Sequence, residues 1–408
     1  MRAADGAGRG GDAGDKRDEQ GGVAGVSGVV GVIVKRASSI APDNFDAFCI
    51  RGLKQFLNLE YASKRLIDRQ NVPVRHHRNA RKQAKQIGFC LALGLEYMEN
   101  SKVATLATKP VLLYYSAMNF ALAELLMKQS GDSSLTLARA EHSHHGLSFG
   151  APSNVSRDAT TLQQMSACKA KPMVSSGKRR GTFELWHRTA REHPVIGVHS
   201  DQDGKTSGPI PLMIGGDERF ELLDEGGVSL LECIKLIPSL SEELARYGAY
   251  SSYARGIISS TKSGECHSIS VLVHPGPEEI ISGVSENILV SPALVPGIEI
   301  EEFQSGFALT ANIYRGQKVN LSLPMVTSLT SGEVRICGVK TSINEFGAFL
   351  AALFILSNLC RYYADFWMER ISAHAGIAMI AESLCSEYFK RVPALVLAEL
   401  EGTLFVRR

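Results

Sequence analysis

The segment ARAEHSHHGLSF, residues 138–149, concentrates side chains that can move protons and hold phosphate. It contains His142, His144 and His145, three of the eleven histidines of the chain, and Arg139. An imidazole titrates near neutral pH and can act as a general base, and a guanidinium can bind a phosphate with two hydrogen bonds. On a helix, a spacing of four or five residues would let both groups point into one groove. The structural alternative is that these polar residues cap a helix end and hold a turn at Gly146.

Two other arrangements of histidine are weaker candidates. Three imidazoles within four residues reach one metal ion only on an irregular backbone, and Glu141 is the one further ligand nearby, so we predict no metal and no cofactor. Arg188 and His193 repeat the arginine-to-histidine spacing, but Pro194 follows at once. We therefore interpret that second pair as the end of a surface helix.

A basic stretch, RHHRNARK, begins a predicted helix and is the candidate nucleic-acid site. Its phosphate contacts would come from Arg75, His76, Arg78 and Arg81. The alternative is an ordinary solvated helix face. The formal net charge of +2 gives no global basic field, so any binding of nucleic acid would depend on such a local patch.

Composition indicates a reduced, globular protein. The 408 residues are 44% hydrophobic, and the eight cysteines are scattered without a C-x-x-C pair. The glycine-rich run near residue 30 does not have the character of a signal peptide, and the apolar run 346–356 is shorter than the roughly 20 residues of a membrane span. We expect a soluble, cytoplasmic protein that does not engage a membrane.

Hydrophobic periodicity predicts the α+β class, mainly α: an N-terminal helical bundle packed with C-terminal helices, and a small antiparallel β-sheet inserted between them. Helical patterns cover 45–67, 78–100 and 109–128 and return after 341, and a period of two runs through HSISVLVH, ENILVS, FALTANIY, QKVNLSLP and EVRICGVK. The expected segments are a disordered tail at 1–38, a bundle at 39–165, a mixed region at 166–265, the sheet at 266–340 and a helical layer at 341–408.

Several motifs occur in an order that resembles the bacterial YaaC-like protein family. They are KPVLLYYSAMNFALAELLM, then HHGL, then Gly181-Thr182-Phe183, then RYYADFW with Arg361, Tyr362 and Trp367, and finally FKRVPALVLAEL. The resemblance covers roughly residues 44–400. It implies relatives without an established biochemical activity.

A more distant resemblance lies within the first. LYYSAMNFALAELL followed by HHGLSF is similar to the second helix and following turn of HEPN helical bundles, many of which are metal-independent ribonucleases with an R-x4-6-H motif. By this resemblance, Arg139 with His144 or His145 would be catalytic.

Two functions follow from these observations. The favoured one is a non-catalytic interaction or regulatory protein, acting in a phage-defence or stress system as a homodimer or with an operon-encoded protein partner. The alternative is a HEPN-type endoribonuclease that cleaves RNA with Arg139 and His144 or His145. No nucleophile elbow, P-loop or dinucleotide fingerprint is present to support other enzyme classes.

Overall fold

A computed structural model describes most of the chain beyond residue 34. The described residues are 35–40, 43–136, 144–150, 159–175, 177–189, 191–192, 195–199, 210–214, 218–219, 223–264, 266–274, 277–289, 298–303, 306–314, 319–321, 326–330, 333–339 and 342–407. All of them belong to one compact unit, Ile33–Arg408. The predicted segments 39–165, 166–265, 266–340 and 341–408 therefore lie in a single unit.

Twelve α-helices occur in the described residues. They are α1 (Phe45–Gln55), α2 (Leu59–Gln70), α3 (His77–Ser101), α4 (Lys109–Met127), α5 (Thr161–Ala167), α6 (Thr182–Thr189), α7 (Leu230–Lys235), α8 (Ser241–Ala245), α9 (Glu278–Leu289), α10 (Glu345–Tyr362), α11 (Ala364–Ser372) and α12 (Gly376–Glu401). Short 3-10 turns at Val74–His76 and Pro238–Leu240 lead into α3 and α8.

Eighteen strands are present in the same residues. They are β1 (Lys35–Ile40), β2 (Leu147–Gly150), β3 (Lys169–Pro172), β4 (Val174–Ser175), β5 (Lys178–Arg179), β6 (Arg191–Glu192), β7 (Val195–His199), β8 (Ile210–Ile214), β9 (Glu218–Arg219), β10 (Val228–Ser229), β11 (Tyr253–Ser263), β12 (Cys266–Val273), β13 (Ile298–Phe303), β14 (Gly306–Tyr314), β15 (Val319–Leu321), β16 (Val326–Thr330), β17 (Glu333–Cys337) and β18 (Thr403–Arg407).

The helical core is organised around α3 and α4. Gly94 lets the two helices approach closely, since a Cβ at this position would lie 2.6 Å from a ring atom of Phe120. The hydroxyl of Ser116 donates to the Gly94 carbonyl at 2.7 Å, and the hydroxyl of Tyr388 on α12 donates to Ser116 at 2.9 Å. These buried bonds satisfy polar groups inside an otherwise apolar interface.

The C-terminal helices pack on this bundle. The ring of Phe354 on α10 lies 5.6 Å from that of Tyr114 on α4, and the indole of Trp367 on α11 donates to the Leu106 carbonyl at 3.2 Å. A buried ion pair between Glu345 and Arg391 joins α10 to α12. The predicted fold class, mainly α with the terminal helices packed together, is confirmed.

The strands expected at 266–340 form part of a larger mixed sheet. Among the described residues its order is β13-β14-β12-β11-β17-β16-β18-β1-β7-β8-β15. The contacts of β18 with β1 and with β16 are parallel, whereas β11, β12, β14 and β17 pair antiparallel. Strand β18 is therefore the element that joins the antiparallel half to the half containing β1, β7, β8 and β15.

Several boundaries differ from the sequence-based prediction. The first predicted helix is two helices because Asn58 ends the turn between them and caps α2, accepting from Glu60 and Tyr61 backbone N–H groups at 3.0 and 3.1 Å. Residues 286–289, predicted as a strand, belong to α9. Residues 1–34 of the predicted disordered tail lie outside the described residues, and its last four residues belong to β1.

Two helices, Lys109–Met127 and Glu345–Tyr362, are long and apolar enough to cross a membrane by length and composition alone. However, 72% and 83% of their most apolar windows are buried within the structure. Their apolar character is accounted for by their position in the core, where α4 and α10 pack on each other.

Candidate functional site

The HHGL turn is fixed to the start of α6 by backbone hydrogen bonds. Thr182 N–H donates to the His144 carbonyl and Phe183 N–H donates to the His145 carbonyl, both at 3.0 Å. The first amides of a helix have no partner within the helix, so these carbonyls satisfy two of them. The Gly181-Thr182-Phe183 motif and the HHGL motif are thus one structural unit, although they are far apart in sequence.

The imidazole of His145 lies against the first half of α4. Its ring centroid is 5.5 Å from that of Tyr114 in an edge-on contact and 6.4 Å from that of Tyr115. Tyr115 in turn stacks with Tyr97 of α3 at 5.6 Å. Burial lowers the pKa of His145, and the nearby charges of Arg361 and His144 lower it further. The His145 side chain is therefore neutral at pH 7 and half-buried, whereas that of His144 is exposed.

Arg361, in the last turn of α10, supplies the positive charge next to His145. Its Nε donates to the Ser357 carbonyl one turn earlier at 3.1 Å, and its guanidinium carbon lies 5.0 Å from the centre of the Tyr362 ring. The same charge also acts on Tyr114, whose pKa is raised chiefly by burial. Arg361 is the functional candidate that sequence reasoning missed, although its motif, RYYADFW, is one of those that carry the resemblance to the YaaC-like family.

Exposed aromatic rings border this group. Tyr362 is 68% exposed and Tyr363 is 36% exposed, and the Tyr363 ring contacts that of Phe149 edge-on at 5.5 Å. We call the combined set the aromatic corner. It consists of Tyr114, Tyr115, His144, His145, Phe149, Arg361, Tyr362 and Tyr363.

The predicted catalytic residues are only partly placed by the structure. His144 and His145 are in the aromatic corner, while Arg139 and His142 lie outside the described residues. In the second arginine-to-histidine pair, Arg188 is bound to Glu184 of its own helix at 2.8 Å and His193 lies outside the described residues. The pairing of Arg139 with either histidine therefore remains a prediction.

The predicted nucleic-acid residues lie at the start of α3, away from the aromatic corner. Arg75 donates to the ring of His76 at 3.0 Å, Arg81 forms an exposed ion pair with Glu60, and Arg78 is exposed. Arg81 precedes Tyr97 by 16 residues of continuous helix, which corresponds to roughly 24 Å at 1.5 Å per residue. Arg81 and Tyr97, which stacks on Tyr115 of the aromatic corner, are therefore separated by about four turns of α3.

Metal and thiol chemistry would need histidine, cysteine or carboxylate side chains of the described residues in suitable groups and protonation states. No group of three or more histidine, cysteine, aspartate or glutamate side chains there could hold a metal ion. Burial raises the pKa of Cys90, Cys168 and Cys385 to about 12, so these thiols stay protonated at pH 7.

Comparison with protein-family models finds a match in the N-terminal half of the chain. Residues 51–177 match the family model of the YaaC-like Protein. This range contains Tyr114, Tyr115, His144 and His145, and it ends before Gly181 and Arg361. A search of the curated proteins finds no match, and a search of the solved structures finds none either. The resemblance to the YaaC-like family is therefore confirmed over these residues, while the HEPN resemblance remains a prediction.

Proposed function

We propose that this chain, related to the YaaC-like family through residues 51–177, is a non-catalytic interaction or regulatory protein that recognises a protein partner at the aromatic corner. We further propose that it acts in the cytoplasm, in a phage-defence or stress system, together with an operon-encoded partner.

The observation that carries the proposal is the meeting of distant segments around exposed aromatic rings. Residues of α4, the HHGL turn and the start of α6 contact one another there. Tyr363, just after α10, contacts Phe149 of β2, and the ring of Tyr362 is 68% exposed. Tyrosine and arginine are enriched among residues that dominate protein interfaces, because each offers a large apolar surface and a polar group. A corner that combines Arg361 with Tyr362 has this character.

The backbone hydrogen bonds and ring contacts of His144 and His145 favour a role in partner recognition over a role in catalysis. Both carbonyls are held by α6, and the His145 ring is packed edge-on against Tyr114. These contacts account for the HHGL turn as a structural element, whatever the side chains do. A binding surface needs such a rigid support, because ordering a mobile surface on binding reduces affinity.

One observation supports the ribonuclease as a second candidate. The lowered pKa of His145 keeps its imidazole in the neutral form that accepts a proton, and Arg361 places a fixed cation beside it. In that mechanism His144 or His145 would deprotonate the 2′-hydroxyl, with Arg139 or Arg361 contacting the phosphate.

Site-specific crosslinking in the native cell tests the recognition proposal. A photoreactive phenylalanine analogue at position 362 is expected to capture one protein, and the same analogue at Tyr250, which is 62% exposed, is the matched control. Capture at 362 should be lost when Arg361→Ala and Tyr363→Ser are introduced together. Absence of a captured protein at 362, or equal capture at 250, would contradict the proposal.

Incubation of the purified protein with total RNA tests the alternative. The recognition proposal predicts intact RNA and growth that is indifferent to overexpression. Cleavage and toxicity that both disappear in the His144→Ala, His145→Ala double variant would establish the ribonuclease instead. Because the pKa of His145 is lowered, such cleavage would persist below pH 6.5, the ordinary pKa of histidine, before declining in acid.

A further inference from the structure

The solvent-facing side of α3 presents large apolar side chains in the middle of a regular helix. Phe89 is 55% exposed and Leu93, one turn later, is 49% exposed. Leu57, 44% exposed, lies at their side, since its Cα is 3.8 Å from the position of a Cβ on Gly88. Single exposed apolar residues are common, but three neighbours on one rigid face form a surface suited to a partner.

Charged residues of opposite sign flank this apolar centre along the same helix face. Arg78, Lys82 and Lys85 precede it, and Glu96 and Glu99 follow it; all five are exposed. Arg78, Lys82 and Lys85 lie eleven, seven and four residues before Phe89 and Glu96 lies seven after it, spacings that keep them close to the line through Phe89 on a helix of 3.6 residues per turn. Glu99 follows Glu96 by three residues and lies at the edge of this face. We call the α3 face the set Arg78, Lys82, Lys85, Phe89, Ala92, Leu93, Glu96 and Glu99.

From this arrangement we propose that the α3 face binds the α3 face of a second copy of the chain, with the two helices antiparallel. A two-fold axis passing between residues 90 and 91 places Lys85 of each copy opposite Glu96 of the other. The surface is distinct from the aromatic corner and goes beyond the function proposed for it.

The same axis also matches large side chains with small ones. It places Phe89 opposite Ala92 in both halves of the contact. Large residues that fill the space over small ones allow two helices to approach closely, as helix packing requires. One symmetry operation thus pairs the charges and accommodates the apolar side chains.

The charge order favours a second copy over RNA. The basic half alone would suit phosphate, but Glu96 on the same face repels it, and the centre of the face is apolar. Glu99 is paired with Lys102 within the chain. At the basic end, the charge of Arg81 is already paired with Glu60 within the chain. A partner with the reverse order of charges is what the face itself provides.

The contact is small, so we expect a weak dimer. The α3 face extends over 22 residues, with a rise of roughly 32 Å along the helix, which places it at the small end of specific interfaces, where we expect micromolar affinity. Dimerisation should therefore depend on concentration, and it should weaken at high salt because exposed charges contribute to it.

Sedimentation equilibrium of the full chain tests the proposal, from about 1 to about 200 µM, a range that brackets the affinity of a small interface. We expect a monomer to dimer transition. Lys85→Glu and Glu96→Lys should each raise the dissociation constant about tenfold or more by placing like charges opposite each other. Phe89→Ser should give a monomer throughout.

Exchanging the charges at positions 85 and 96 tests whether these two residues face each other across the two-fold axis. The double variant Lys85→Glu, Glu96→Lys should dimerise again, as should an equimolar mixture of the two single variants, because each restores opposite charges across the axis. Lys178→Glu and Glu382→Lys, which make the same changes at exposed positions on β5 and α12, are the controls and should leave the constant unchanged. Circular dichroism of each variant verifies that helix content is retained.

Three results would overturn the proposal. The first is an unmodified protein that stays monomeric at every concentration. The second is a double variant and a mixture whose dissociation constants remain as high as those of the single variants. The third is a monomer that binds a short labelled RNA, with binding lost in Lys85→Glu and increased in Glu96→Lys. Neither result bears on crosslinking at position 362, so this proposal and that for the aromatic corner can fail separately.

Discussion

Gly146 and Gly181 approach each other so closely that neither position has room for a side chain. Both have positive φ, +86° and +112°, and a Cβ on Gly181 would lie 2.2 Å from the Gly146 Cα. A Cβ on Gly146 would lie 2.9 Å from Phe183 N, whose bond to the His145 carbonyl holds the turn. Close backbone approach and left-handed geometry at this point both require glycine.

We expect Gly146→Ala to lower the free energy of unfolding by at least about 2 kcal/mol, because the added methyl group meets backbone as well as an unfavourable φ. Chemical denaturation measures this change. Gly177→Ala is the control, since Gly177 has a φ of +71° but no atom within 4 Å of its Cβ position, and it should cost only about 1 kcal/mol. Equal costs for the two variants would show that the close contact at Gly146 is unimportant.

At this scale, a turn at Gly146 could be predicted from sequence, but the neighbours of the turn could not. A glycine after polar residues indicates a turn because few other residues adopt positive φ. The proximity of Arg361 to His145 depends on the packing of α10 against α4, and nothing in the local sequence of either residue encodes that contact.

Helices α3, α4 and α12 are joined by a relay of two buried hydroxyl groups. Tyr388 donates to Ser116, which donates to the Gly94 carbonyl, and both side chains are fully buried. A buried hydroxyl that loses its partner keeps its desolvation cost without a compensating bond. The relay therefore ties the C-terminal helix to the centre of the bundle.

Ser116→Ala should lower the free energy of unfolding by about 2 kcal/mol, because it leaves the Tyr388 hydroxyl without an acceptor. In a protein that already carries Tyr388→Phe, Ser116→Ala should lower the free energy of unfolding by measurably less. A double-mutant cycle by urea denaturation quantifies the difference. Ser101→Ala removes a buried serine that bonds only within α3, to the Met98 carbonyl, and should have a small effect. Additive costs for Ser116→Ala and Tyr388→Phe would argue against the relay.

Helix boundaries show where local sequence signals are overridden. Proline ordinarily ends or kinks a helix, yet α12 continues from Gly376 to Glu401 with Pro393 inside it. Proline in a helix interior removes one hydrogen bond and clashes with the preceding turn. Here Val392, Pro393 and Val396 are all buried, so packing of this segment in the core offsets the local cost.

At the scale of the whole molecule, the sheet unites segments from across the chain. Register pairs Arg36 with Thr403 and Ile40 with Arg407 in parallel strands, and Thr330 with Arg407 on the other side of β18. Strands β12, β14 and β17 were predicted from their alternation, whereas β11 and β13 were not. The pairing of β1 with β18 was not predicted either, since short strands with distant partners carry no local signature.

We expect Phe405→Ala to lower the free energy of unfolding by about 2 kcal/mol, because the Phe405 ring packs edge-on against Phe48 of α1 at 5.3 Å and holds β18 on the helical core. Deletion of residues 403–408 should destabilise the protein further, since it also removes the strand that joins the two halves of the sheet. Thermal unfolding, monitored by circular dichroism, gives the melting temperatures of the unmodified protein, the Phe405→Ala variant and the deletion variant. An unchanged melting temperature after the deletion would show that the halves do not unfold as one cooperative unit.

The bridging position of β18 has a consequence during protein synthesis. A ribosome adding 5–20 residues per second needs roughly 20 to 70 s to proceed from residue 36 to residue 403, and throughout this interval the nascent chain has no strand to place between β1 and β16. The strand edges that β18 will cover therefore stay open to other chains, which is the condition under which aggregation competes with folding. Chaperones that shield nascent chains should accordingly raise the yield of this protein, and slowing translation near its end should reduce it.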